Sequence, residues 1–151
     1  MKEVIVQTRV LNALSIQTNL ANEMNPNTAK IGSLWQKFDA EVPVDYQHGE
    51  RVYGLYSNYE NGVEGNFTAT AAYDGKSLDF LNEVTIEAGK YLLFEAEASS
   101  SDDNARGATV MALWGEVWAY FGGNPKHIRA FLTDFDFYKD ATHIEVYVSI
   151  L

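Results

Sequence analysis

Apolar and polar residues alternate along Ile144–Ile150. Ile144, Val146, Val148 and Ile150 fall on one side, and Glu145, Tyr147 and Ser149 on the other. A period of two predicts a strand with two unlike faces. Val52–Tyr59, Phe67–Tyr73 and Ile128–Tyr138 also read as extended. A different period governs Ile31, Leu34, Trp35 and Phe38, and again Val110, Leu113, Trp114, Val117 and Phe121. The spacing i, i+3, i+4, i+7 predicts two amphipathic helices. Asn27 or Thr28 is placed to cap the first, and the run Ser99–Asn104 to cap the second. Gly122-Gly123-Asn124-Pro125 stops the second helix.

The pattern occurs twice. Val4–Thr18 and Val84–Ala98 are both extended and both broken near the middle, at Thr8-Arg9 and Ala88-Gly89, where a kink or bulge is expected. The helical segments share a Leu-Trp pair, Leu34-Trp35 and Leu113-Trp114, and two extended segments follow each. The order is strand, helix, strand, strand, over residues of about 1–76 and again over about 80–151. The join carries apolar residues and no Pro- or Gly-rich linker. This predicts a single α+β domain over 1–151. Its two pseudo-symmetric units would form one antiparallel sheet with two helices on one face and a ligand groove between the helices.

Composition narrows the function. The formal net charge of −10 disfavours a phosphate backbone. Aromatic residues at 13% suit a ligand pocket as well as a core. Cysteine is absent, no apolar run approaches the ~20 residues of a membrane span, and the first residues have no apolar leader region. A cytoplasmic protein with no membrane association is the expectation. His48, His127 and His143 are scattered, and no GxSxG stretch is present. Neither a metal site, a cofactor nor a catalytic set is predicted.

The kinked strand IEAGKYLLFEAE, the helix VMALWGEVWAYF, the closing strand IEVYVSI, and LWQKF with VYGLYSNY in the first half together carry a resemblance. The chain resembles the gyrase inhibitor-like effector-binding domains of AraC-type and MerR-type regulators. Within that family it is most similar to the stand-alone cationic-drug-binding modules of integron gene cassettes. The resemblance implies that the acidic residue of the last strand, here Glu145, lies at the base of the groove and meets a cationic ligand. The proline usual in that strand motif is Ser149 here.

On residue pattern alone Glu145 is equally a solvated strand position, and Trp35 and Trp114 are either core or opposing groove walls. Tyr147 shares a strand face with Glu145. Tyr56, Trp118 and Tyr91 complete the expected ligand-binding set. Asp134 and Asp136, alternating with Phe135 and Phe137, read as the wet face of a strand. Gly107, Ala108, Ala112, Gly115 and Ala119 give the second helix a small-residue side on which a homodimer could form.

The expected function is binding of lipophilic aromatic cations, as a sensor acting through a separate transcriptional partner, because the two units leave no room for a helix-turn-helix. The alternatives are a hydrolase using a groove Glu/Tyr pair, or a protein-interaction module of gyrase-inhibitor type. On charge grounds the isolated chain should not shift random duplex DNA at physiological salt, which a gel-shift assay at micromolar protein checks.

Overall fold

The breaks in the two long extended segments decide the topology. The computed structural model describes residues 1–151. The first long segment becomes β1 (Lys2–Val6) and β2 (Arg9–Thr18), followed by a short α1 (Leu20–Glu23), α2 (Ile31–Glu41), β3 (Val52–Ser57) and β4 (Phe67–Tyr73). The second becomes β5 (Asn82–Ile86) and β6 (Gly89–Glu97), followed by α3 (Asp103–Gly122), β7 (Asp134–Tyr138) and β8 (His143–Ser149). All eight strands form one sheet in the order β1-β6-β8-β7-β3-β4-β2-β5. Every pairing is antiparallel. The fold is α+β, as expected.

Each unit is more than the predicted three-strand sheet. The piece before each kink leaves its own unit and pairs with the other, β1 with β6 and β5 with β2. Only Gln7 and Thr8 separate β1, at one edge, from β2, beside the other edge. The sheet must therefore curl until its two ends come close. The strand expected over Ile128–Tyr138 begins only at Asp134, after Phe131 takes a left-handed φ of 52°.

The two units are related by a pseudo-two-fold axis between β3 and β7. Ala13 pairs with Ala72 and Ala72 with Tyr53, just as Leu93 pairs with Tyr147 and Tyr147 with Phe135. By that register Gly54 is the counterpart of Asp136, and the two are also direct partners across the β3–β7 ladder.

Both helices lie on one face of the sheet. Leu113, Trp114 and Val117 of α3 pack on Leu92, Phe94, Ile144, Val146 and Val148. Leu34 and Phe38 of α2 pack on Val52, Ala69, Ala71 and Tyr73. Tyr56 and Tyr138 touch both of these cores and so bridge the strip of sheet between the helices. The opposite face, inside the curl, has its own core of Leu11, Tyr53, Leu55, Ile86, Tyr91 and Phe135. No helix is long and apolar enough to cross a membrane.

The helix ends show which cap signals operate. Asp102 caps α3 by accepting from the Ala105 N–H at 2.9 Å, and Gly122 ends that helix. At α2 neither Asn27 nor Thr28 serves. The N-cap is Lys30, with no side-chain bond of its own. The carboxylate of Glu23, at the end of α1, does the work from a distance, accepting from the N–H groups of Lys30 at 3.0 Å and Ile31 at 3.1 Å. Removing it by Glu23→Ala leaves two helix donors unsatisfied and should cost about 1–2 kcal/mol, read as a lower melting temperature.

Candidate functional site

The strip between α2 and α3 contains a carboxylate that pattern alone placed in water. Asp134 and Asp136 are buried, at 0% and 1% exposure. β7 lies mid-sheet, and the helices and their aromatic side chains cover its outward face. The expected wet face is therefore corrected to a buried one.

The two aspartates are satisfied very differently. Asp134 is fully engaged. It holds Arg129 at 2.6 Å, accepts from the Tyr59 hydroxyl at 2.6 Å, and accepts from the Ser149 N–H at 2.8 Å. Asp136 has no ionic partner. Its Oδ2 accepts from the Tyr56 hydroxyl at 2.9 Å and from Trp114 Nε1 at 3.3 Å. Its Oδ1 is buried with no hydrogen-bond partner. That oxygen lies over Gly54, where a Cβ would stand only 2.4 Å away, so the carboxylate fits only because position 54 has no side chain. Burial pushes the Asp136 carboxyl up to about 6, against the opposing pull of its hydrogen bonds from Tyr56 and Trp114.

Aromatic rings surround this group. Tyr56 and Trp114 meet edge to face at 5.1 Å between centroids, and Trp35 meets Tyr138 in the same way at 6.0 Å. Trp35 comes from α2, Trp114 from α3, Tyr56 from β3 and Tyr138 from β7. The amphipathic stripes that bury Leu34 and Leu113 turn the following tryptophans toward the strip between the helices. The arrangement is a buried carboxylate without an ionic partner, closed over by aromatic side chains from both helices and from β3 and β7.

Of the residues expected from sequence, the structure brings together Trp35, Tyr56 and Trp114. Glu145 and Tyr147 are on the other face of the sheet, because Ile144, Val146 and Val148 are the residues under α3. Glu145 therefore does not form the floor of the groove between the helices. The carboxylate on the helix side is Asp136. Glu145 is buried to 9% exposure and accepts from the Tyr147 hydroxyl at 2.9 Å. Tyr147 stacks on Phe135 at 4.5 Å and borders a cavity of about 300 Å³ lined by Val4, Val6, Arg9, Tyr53 and Phe137. Burial, and then the Glu145 carboxylate, raise the Tyr147 hydroxyl pKa well above its usual value. Tyr91 is core rather than groove border, donating to the Glu87 carbonyl at 2.6 Å. Trp118 points outward, 44% exposed, beside the small-residue side of α3, which is itself exposed.

The fold and its duplicated units are those of an effector-binding domain with a gyrase inhibitor-like architecture. The chain belongs to the family of integron-associated effector binding proteins, Cass2, whose profile matches residues 4–150. The integron cassette protein VCH_CASS2, from the mobile metagenome of Vibrio cholerae, is 34% identical. It superposes with a TM-score of 0.89 over 99% of this chain and 95% of its own. The structure of SAV2435 bound to tetraphenylphosphonium shares the fold, with a TM-score of 0.63 at 15% identity over 99% of this chain and 93% of its own. YobU of Bacillus subtilis strain 168, named as a candidate transcriptional regulator, is 23% identical over 150 residues, 91% of this chain and 89% of its own.

The state of Asp136 makes stability depend on pH. A carboxyl raised from 3.8 to about 6 on folding favours the folded state fully below the lower value and loses that contribution as pH rises through the upper one. The gap corresponds to about 3 kcal/mol. Asp136→Asn keeps the shape and removes the charge. It should melt above the wild type at pH 8, by a margin that shrinks toward pH 4.5, in paired melting curves across that range. A margin independent of pH would show that the carboxyl does not titrate there.

Proposed function

We propose that this protein is a receptor for lipophilic aromatic cations, which it binds between α2 and α3 with Asp136 as counter-charge. The observation that carries this reading is a fully buried carboxylate with an unpartnered oxygen and no protein cation in contact, inside a ring of four aromatic side chains. A buried charge of this kind is costly when empty. A bound cation offsets that cost, and each aromatic face adds roughly 0.5–2 kcal/mol of cation–π attraction. The tetraphenylphosphonium complex of SAV2435, a protein of the same fold, supports a ligand of this class.

The cavity beside Tyr147 fits a cation less well. Its carboxylate, Glu145, already accepts from the Tyr147 hydroxyl at 2.9 Å, whereas Asp136 keeps an unpartnered oxygen. Glu145 and Tyr147 are accordingly left outside the primary site. The physiological role that follows is sensing of a cationic compound in the cytoplasm and relay through a separate regulatory partner. The regulator-like name of YobU and the net charge of −10, which disfavours direct DNA contact, support that role.

Tetraphenylphosphonium should bind with micromolar affinity, about −8 kcal/mol, while the isosteric anion tetraphenylborate binds at least about a hundredfold more weakly. Asp136→Asn should weaken the cation by about ten- to a hundredfold, and Glu145→Gln by no more than about twofold. Calorimetric titration of the three proteins with both ions gives the answer. Equal affinity for the anion, or a larger loss at Glu145 than at Asp136, would overturn the reading.

A further inference from the structure

The groove already contains a cation, and the cation belongs to the protein. Arg106, near the start of α3, places its guanidinium carbon 5.2 Å from the centroid of the Tyr138 ring. Tyr138 is the ring that packs edge-on against Trp35 and touches the cores under both helices. Arg106 lies four residues before Val110 and eight before Trp114, so it occupies the inner stripe of α3, where the following positions are apolar.

Arg106 is weakly held for an arginine in such a place. Its Nε is buried without a hydrogen-bond partner, and none of the ion pairs within 4 Å includes it. Arg129 makes the contrast. It too has a buried, unpartnered Nε and lies over an aromatic ring, Phe131 at 4.4 Å, but Asp134 anchors it at 2.6 Å. Arg106 has the aromatic contact without the anchor. Two carboxylates, Asp39 on α2 and the exposed Asp103 on α3, lie within reach of its charge.

We infer that Arg106 is a tethered stand-in for the ligand: it covers the Tyr138 face of the groove while no organic cation is present, and yields that face by moving toward Asp39 and Asp103 when one enters. This rests on the reading of the groove as the cation site. Arg106 then sets both threshold and selectivity. A free cation competes with a tethered one, so the observed affinity falls below the intrinsic value by the fraction of molecules in which the face is open. A neutral aromatic compound displaces the cation–π contact without replacing it, and is disfavoured.

Arg106→Met keeps the apolar stem and removes the charge, whereas Arg106→Lys keeps the charge. Tetraphenylphosphonium and tetraphenylborate are titrated into the wild type, both variants, Asp136→Asn and the Arg106→Met/Asp136→Asn double variant. Arg106→Met should bind tetraphenylphosphonium roughly two- to thirtyfold more tightly and tetraphenylborate no more tightly, with Arg106→Lys close to the wild type. A gain for both ions would make Arg106 a steric obstacle only and overturn the inference. No gain for the cation, with Asp136→Asn still weakening it, would overturn the inference and leave the groove as the binding site. No effect of Asp136→Asn in either background would remove the groove reading and the inference together. The side-chain Nε–H resonance of Arg106, shifted by the Tyr138 ring current, supplies a check on the wild type itself. It should move to an ordinary arginine position on saturation with tetraphenylphosphonium, and an unchanged resonance would refute displacement even if Arg106→Met does not fold.

Discussion

The exchange of strand halves at the two kinks holds this molecule together. β1 completes the edge beside β6, and β5 completes the edge beside β2, so each unit finishes the other. Without that exchange each unit would be a three-strand sheet under one helix, with an unpaired backbone edge on each side. With it the sheet becomes continuous and curled, and the two helices are fixed on the same face at a set separation. The strip between them, bridged only by Tyr56 and Tyr138, is a direct result of this geometry.

That strip concentrates the electrostatic cost of the fold. Two aspartates two residues apart on β7 share a strand face and nearly equal burial, yet one is matched by Arg129 and the other is not. The matched one, Asp134, ties the Arg129 segment and the Tyr59 hydroxyl to β7 and Ser149 of β8, and is structural. The unmatched one, Asp136, carries the cost of a buried carboxyl without an ionic partner. Under the proposed function, stability and binding are set against each other at this single side chain.

The sequence made the repeat, both helices, the kinks and the α+β class legible, because each rests on local periodicity or on a glycine break. The cross-pairing of the kinked halves was not legible, since nothing within Lys2–Val6 says which unit it joins. Glu23 was missed as a helix cap because it acts across eight residues of chain on Ile31. Near the strip between the helices, the two tryptophans and Tyr56 were recognisable, whereas the buried carboxylate beside them, Asp136, was read as solvated. The alternation DFDFY looks the same whether its polar face meets water or a layer of aromatics; the position of β7 in mid-sheet decides, and that is a property of the whole topology. Glu145, in the last strand, is polar for a different face.

The pairing of Gly54 with Asp136 has a consequence for symmetry. The two residues are counterparts in the repeat and partners on its axis. A dimer of one identical unit would have to place the same residue on both sides of that axis. Two glycines give no charge, and two aspartates give colliding carboxylates, since a single Cβ at position 54 already overlaps Asp136. A lone anion on the dyad is therefore open only to a chain in which the two copies are covalently joined and free to differ. The two-fold scaffold thereby gains one buried carboxylate per chain, with a distinct glycine side and aspartate side.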